Sequence, residues 1–307
     1  MGIVTSVITI AGAAAALSVS IVAVTGSAAQ LNGAAREQAG SAGGGTKGEI
    51  VFFDDFSGTG LDRARWNVIV TGRTVNDEQQ AYVDSSETIA VVSGQEAAGA
   101  DNGALAIHAR YHPGYTTPEG RRFDFISGRL DTRGKFAFTY GTAAARVKLT
   151  AGAGLWPAFW ALGAGAWPAT GEMDILENVG DPTWTNFALH GPGYSGNTPL
   201  TNRRHFEAGT DITDWHVYSM HWTSDAIQFS VDGVEAYRVS RAMVEKYGAW
   251  AYDNPKFLIV NLALGGAYPK AVNGVSQPYT GLPQATVEAI EGNKATMLVD
   301  WIRVAKD

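Results

Sequence analysis

The sequence predicts an all-β fold, a two-sheet sandwich or jelly roll rather than an α/β arrangement. Three observations carry that expectation. From Glu49 onward, short runs of β-branched and aromatic residues alternate with turn-forming Gly, Asp, Asn and Pro. Only Arg241 to Tyr247 offers a short helix, and no internal repeat is visible. The chain has 307 residues, 45% of them hydrophobic. That suffices for a sizeable core, and all-β units often run this long as one domain.

Taken in order, the first 35 residues contain no charged side chain. Val7 to Val24 is rich in Ala, Val and Ile, and Ser27-Ala28-Ala29 supplies small residues suited to cleavage before Gln30. A basic n-region is missing. Residues 1–29 therefore read as a signal peptide or as an N-terminal anchor, since about 18 apolar residues borders on spanning length. A buried helix is the third alternative. The expectation is a secreted protein, or one membrane-anchored outside the cytoplasm. Residues 30–48, small and polar, read as a flexible linker.

Strands are then expected at Ile50-Val51-Phe52-Phe53, Thr88 to Val92, Ala104 to Ile107 and Lys135 to Phe138. More follow at Gly141 to Leu149, Met173 to Glu177, His216 to Trp222, Ile227 to Asp232, Phe257 to Leu264 and Thr296 to Val304. Asp232-Gly233 marks a hairpin tip.

Net charge is −7. Such a balance gives no footprint for nucleic acid and weighs against strongly anionic substrates. With no cysteine, disulfides and thiolate metal sites are excluded.

The most informative stretch is Gly171-Glu172-Met173-Asp174-Ile175-Leu176-Glu177-Asn178. On a regular strand Glu172, Asp174 and Leu176 would share one face and Glu177 would point away. One extra residue bulged out at Ile175-Leu176 repairs that phase. Glu172, Asp174 and Glu177 then project together, while Met173 and an apolar residue of the bulge enter the core. A helix would align Asp174 with Glu177 but leave Glu172 and Glu177 poorly aligned, so the strand is preferred. Acidic groups crowded on one face repel, and such clusters bind a cation or share protons for chemistry. Glycosidic bond cleavage is one reaction that needs two nearby carboxylates of different proton affinity.

At these residues the chain resembles the family-16 glycoside hydrolases. Glu-Met-Asp-Ile-Leu-Glu is similar to their Glu-x-Asp-x-x-Glu signature, in the bulged form of laminarinases (endo-1,3-β-glucanases). Leu155 to Gly163, His190 to Gly196, Val231-Asp232-Gly233, Asn261 to Gly266 and Val299-Asp300-Trp301 also resemble that family, in family order. The resemblance implies that 49–307 is a catalytic domain with a concanavalin-like jelly roll and a concave cleft. It makes Glu172 the nucleophile, Glu177 the general acid/base, and Asp174 the group that tunes one of them. A retaining glycosidase holds its two carboxyls about 5–5.5 Å apart. A rise of about 3.3 Å per residue puts the two Cα atoms on the order of 13 Å apart, so both side chains must lean inward.

Trp156, Trp160 and Trp167 cluster just before the acidic strand, where indole can stack on a sugar ring; Trp66, Trp215, Trp222 and Trp301 read as core. The resemblance places His190 beside the leaving-group subsite, and Arg129 and Asn261 on sugar hydroxyls. Asn76 matches a family block loosely. Tyr268 stands where laminarinases usually carry Trp, which opens the choice of sugar. No catalytic cofactor is implied. A structural calcium is, on the Asp300 carboxylate and backbone oxygens near Asp55 and Gly103.

His108 and His112 share a strand face in this reading but lack a third ligand, and Gly193 to Gly196 is no nucleophile elbow. The expected partner is a neutral β-1,3-glucan, acted on by a monomer. Mixed-linkage glucan, β-galactan or agarose is the alternative substrate, and a non-catalytic glycan-binding sandwich is the alternative of another class.

Overall fold

A computed structural model describes residues 48–307. The expected signal or anchor over 1–29 and the linker over 30–48, Gly48 excepted, lie outside the described residues.

The strands in chain order are β1 (Glu49–Asp54), β2 (Asn67–Val68), β3 (Gln80–Tyr82), β4 (Ile89–Val92), β5 (Ala104–His108) and β6 (Arg110–Thr116). Next come β7 (Arg122–Ser127), β8 (Arg129–Asp131), β9 (Gly141–Leu149), β10 (Leu155–Gly163), β11 (Glu172–Glu177) and β12 (Trp184–His190). The last are β13 (Thr201–His205), β14 (His216–Trp222), β15 (Ala226–Val231), β16 (Val234–Ser240), β17 (Lys256–Leu264) and β18 (Thr296–Lys306). One sheet runs β13-β12-β11-β10-β17-β8-β2 and carries the acidic strand. The other runs β16-β15-β14-β9-β18-β5-β4, with β1 added on β18. A small third sheet joins β3, β7 and β6.

The two large sheets pack through one apolar core. Phe159, Met173, Leu258 and Val260 come from the acidic sheet; Val147, Tyr218, Met220, Phe229 and Ile302 come from its partner. Period-two alternation makes this possible. In β10, Leu155, Phe159 and Ala161 are buried, while Trp156, Ala158, Trp160 and Leu162 stay partly exposed on the opposite face. Burying each large apolar side chain contributes about 1.5–3 kcal/mol. The jelly-roll expectation holds, including the β15–β16 hairpin turning on Asp232 (φ 51°) and Gly233 (φ 77°).

Several local expectations are corrected. Lys135 to Phe138 is not a strand: a turn precedes an isolated bridge from Phe138 to Lys256. Its aromatic residues serve packing, Phe136 against Phe52 and Phe138 against Trp222. The helix expected at Arg241 to Tyr247 shortens to one turn, α1 (Arg241–Val244), capped by Ser240 Oγ accepting from the Met243 amide at 3.2 Å. Two helices were not expected, α2 (Ala267–Asn273) and α3 (Gln284–Glu291). The Gly and Pro residues that read as loop punctuation are their ends: Gly266 and Gly274 bound α2, and Pro283 precedes α3. Trp215 is half-buried rather than core, its indole donating to the Ala98 carbonyl at 3.0 Å beneath Arg146. Trp66, Trp222 and Trp301 are buried as expected. His108 and His112 do not share a strand face, because His108 ends β5 and His112 lies in β6 of the small sheet.

Candidate active site

The site is built by a break in the β11 ladder. Asp174 pairs with Ala188 and Glu177 with Asn186, so Ile175 and Leu176 together oppose Phe187 alone. The same slip occurs against β10, where Asp174 pairs with Trp160 and Glu177 with Ala158. Met173, Ile175 and Leu176 are fully buried, so both bulge residues enter the core. Glu172, Asp174 and Glu177 are left on the opposite face, as the sequence predicted. Gly171 sets the entry to the strand: at φ 73°, a Cβ there would lie 2.5 Å from the Ala251 carbonyl.

Cross-strand pairing then lays out the face. His190 sits opposite Glu172. Asn261 of β17 sits opposite Ala158, and Arg129 of β8 opposite Asn261. The row through Glu177 therefore runs from Asn186 through Glu177, Ala158 and Asn261 to Arg129, since directly paired residues share a face.

Hydrogen bonds hold each carboxylate. Trp156 Nε1 donates to Glu177 Oε1 at 3.0 Å, and Asn186 Nδ2 to Glu177 Oε2 at 3.1 Å. Trp167 Nε1 donates to Glu172 Oε2 at 3.1 Å, although Trp167 is 52% exposed. His190 Nε2 lies 3.3 Å from Asp174 Oδ2 and 3.8 Å from Glu172 Oε1.

The shifts follow from this crowding. Burial, then the charge of Asp174, raises Glu172 to about 8; His190 and the Trp167 indole oppose that rise. Burial, then Asp174, raises Glu177 to about 7 against the bonds from Asn186 and Trp156. Burial pulls His190 down, but the hydrogen bond and charge of Asp174, with Glu172 and Glu177, outweigh it and raise His190 to about 9. Near neutrality the face thus carries an imidazolium and is poised to keep a proton on a glutamate.

The flanking residues converge on the same face. Trp160 Nε1 donates to Asn261 Oδ1 at 2.8 Å, and Asn261 Nδ2 donates to Tyr82 Oη at 3.1 Å. Asn261 therefore orients Trp160. The Arg129 guanidinium lies 5.0 Å over Trp160, and its buried Nε has no hydrogen-bond partner among the described residues. Tyr268 meets Trp156 edge-on at 5.5 Å. The Asn76 carbonyl accepts from the Ala267 amide, docking that loop beside Tyr268; Gly266 (φ 100°) is required there, because a Cβ would lie 2.5 Å from the same carbonyl. Two contributors escaped the sequence reading. Asn186 shares the period-two phase of His190 on β12, a signal that could have found it. Tyr82 comes from the small sheet and carries no local signal.

Glu172, Asp174 and His190 each offer an atom within 4.8 Å of the others, a set that could hold a metal ion. A protonated His190 already supplies positive charge there, which favours proton sharing over metal binding. Residues 101–103 touch each of the expected calcium positions in turn. Gly103 lies against the Phe56 carbonyl, Asn102 Nδ2 bonds the Asp55 carboxylate at 3.3 Å, and the Asp101 amide bonds Asp300 Oδ1 at 3.0 Å. The second Asp300 oxygen, however, is taken by the Arg146 guanidinium. With its one buried carboxylate neutralised in this way, the donor set fits a divalent cation poorly.

Comparison with known proteins gives the family and the fold. The model for glycosyl hydrolases family 16 matches residues 84–281. The chain is 34% identical over 268 residues to a beta-glucanase from Rhodothermus marinus, spanning 83% of this chain and 84% of that protein. The endo-beta-1,3-glucanase of Pyrococcus furiosus superposes with a TM-score of 0.71 at 33% identity, covering 84% of this chain and 94% of that one. The laminarinase catalytic domain of Thermotoga maritima gives 0.70 at 31% identity, covering 85% and 99%.

Proposed function

We propose an activity for this chain on the premise that it belongs to glycosyl hydrolases family 16: it hydrolyses internal β-1,3 linkages of a neutral glucan, with retention. The observation that carries this reading is the bulge that brings Glu172, Asp174 and Glu177 onto one face with both glutamates raised. A non-catalytic glycan-binding sandwich has no need of that arrangement.

Glu177, hydrogen-bonded by Trp156 and Asn186, gives its proton to the departing glycosidic oxygen. Glu172 attacks the anomeric carbon and forms a glycosyl-enzyme. Positive charge grows on that carbon in the transition state, which favours the ionised form of the nearer carboxylate. This biases the proton toward Glu177. Asp174 holds His190 and, with it, balances the charge around Glu172. In the second step Glu177, now a carboxylate, takes a proton from water as the water oxygen bonds the anomeric carbon and the bond to Glu172 breaks; the carboxylate of Glu172 and the acid form of Glu177 are restored, and the product leaves with its configuration kept. Trp160, steadied by Asn261, offers a stacking face, and the Arg129 guanidinium over it offers donors to sugar hydroxyls.

Tyr268 favours a second substrate within the same chemistry, mixed-linkage glucan or a β-galactan, because a phenol offers less stacking area than indole. Early-time proton NMR of laminarin digests tests the main reading: β-anomer appears first if configuration is kept. Early α-anomer, or product from a galactan alone, overturns it. Export through the uncharged segment over 1–29 fits a polymer substrate outside the cell, and N-terminal sequencing of extracellular protein tests that.

A further inference from the structure

The layout of the face is lopsided. On one side of β11 the residues expected to grip sugar are Trp160, Asn261 and Arg129, from β10, β17 and β8. On the other side β12 contributes His190 and Asn186, and beyond it lies the edge strand β13, none of whose residues has a role so far. Its pairing with β12 sets Arg203 opposite Asn186, which bonds Glu177. Arg203 therefore extends the row of the acid/base residue by one more strand, on the same face.

Its side chain is stacked on one side yet exposed. The guanidinium carbon stands 3.7 Å over the ring of Trp184, which is itself only 2% exposed. The Tyr268 hydroxyl is near enough to feel the Arg203 charge. Tyr268 in turn packs on Trp156, the donor to Glu177. Arg203 makes no salt bridge among the described residues; its charge is felt by Asp181 without pairing to it. An arginine stacked on an aromatic ring keeps its rigid fork of donors pre-organised, so little freedom is lost when a ligand binds.

Resting on the glucanase reading, we propose that Arg203, stacked on Trp184 beside Tyr268, forms a subsite on the leaving-group side that hydrogen-bonds the hydroxyls of a hexose unit in the departing glucan. The same subsite would hold an incoming sugar acceptor in transglycosylation. It sits on the β12–β13 side, away from Trp160 and Arg129, so it governs the part of the polymer that leaves first.

The test compares laminarin with 4-nitrophenyl β-laminaribioside, whose aryl leaving group offers no sugar hydroxyls to that side. Arg203→Ala should lower kcat/KM on laminarin about tenfold, through KM, and change the aryl substrate less than about twofold. Arg203→Lys, which keeps charge but loses the stacked fork, should fall between them. Equal losses on both substrates, or none on laminarin, would overturn the subsite. So would a laminarin loss in kcat accompanied by movement of the basic limb of the pH profile, because Arg203 would then act through Glu177. A wild-type enzyme inert on both substrates would instead remove the glucanase reading, and the subsite with it.

Discussion

His190 Nε2 stands 3.3 Å from Asp174 Oδ2, so the carboxylate between the two glutamates of the acidic strand is also the partner of an imidazole. Asp174 is the second-largest cause, after burial, of the rise in both Glu172 and Glu177. Asp174→Asn removes that charge, so both glutamates should drop and His190 should lose its hold on the proton. The basic limb of kcat/KM, set by the need for protonated Glu177, should move to lower pH. Turnover should fall roughly 10²-fold. Wild type should work best near neutrality rather than in the ordinary carboxylate range, and pH–rate profiles on laminarin check both. An unmoved basic limb in the variant would mean that another group supplies the proton.

Trp156→Phe perturbs the same limb in the opposite direction. The ring is kept, along with its edge contact to Tyr268, but the 3.0 Å indole bond to Glu177 Oε1 is lost. That bond favours the ionised carboxylate, so its loss raises Glu177 further. The basic limb should shift to higher pH, with a kcat loss of several-fold and a small change in KM. A large KM effect with a fixed limb would make Trp156 a sugar platform instead, as its position in the tryptophan cluster first implied.

How much of this was legible follows from the range of the signals. The bulge was readable because three carboxylates out of phase with a period of two leave one repair, and the flanking apolar residues show which side is core. The β10 alternation and the Asp232-Gly233 tip are equally local. The helices α2 and α3 were not legible, because their caps are Gly and Pro and their stability comes from tertiary burial, of Pro269 in α2 and of Thr286, Val287 and Ile290 in α3. Tyr82, which receives Asn261, comes from a strand remote in sequence. Arg146 likewise reaches Asp300 across the β9–β18 pairing, and only the fold shows that the expected calcium carboxylate is already matched. Neighbours brought together by sheet register leave no trace in a single sequence.

Glu172→Gln should reduce turnover by on the order of 10⁴ or more while laminarin binding persists. It should also stabilise the protein above neutral pH. A buried glutamate raised in the folded state binds more protons folded than unfolded, so its contribution to stability is full below the unfolded value and is lost as pH rises through the folded one. For Glu172 that window runs from 4.5 to about 8. Glutamine does not titrate, so the melting temperature of the variant should exceed wild type at pH 8 and approach it near pH 4. Melting curves at the two pH values decide the matter; a variant less stable at pH 8 would show that the ionised carboxylate is welcome in the fold.

Asp300 is 1% exposed and held by the Arg146 guanidinium and the Asp101 amide. Removing one member of a buried pair leaves the other charge uncompensated, at a cost of about 3–5 kcal/mol. Arg146 also covers the Trp215 ring and bonds the Gly99 carbonyl at 2.9 Å, so it ties the 99–101 turn to β9. Arg146→Met, which keeps the aliphatic stem, should therefore lower the melting temperature by roughly 6–20 °C for a domain of this size. If the guanidinium is the cation that this carboxylate uses, EDTA should leave the wild-type melting temperature unchanged, and millimolar Ca²⁺ should not raise it. Calcium should instead partly rescue Arg146→Met, because the freed carboxylate and the nearby Phe56 carbonyl would then offer hard oxygen ligands. A wild-type melting temperature that falls with EDTA and recovers with Ca²⁺ would place the ion beside the arginine and refute the substitution of one cation for the other.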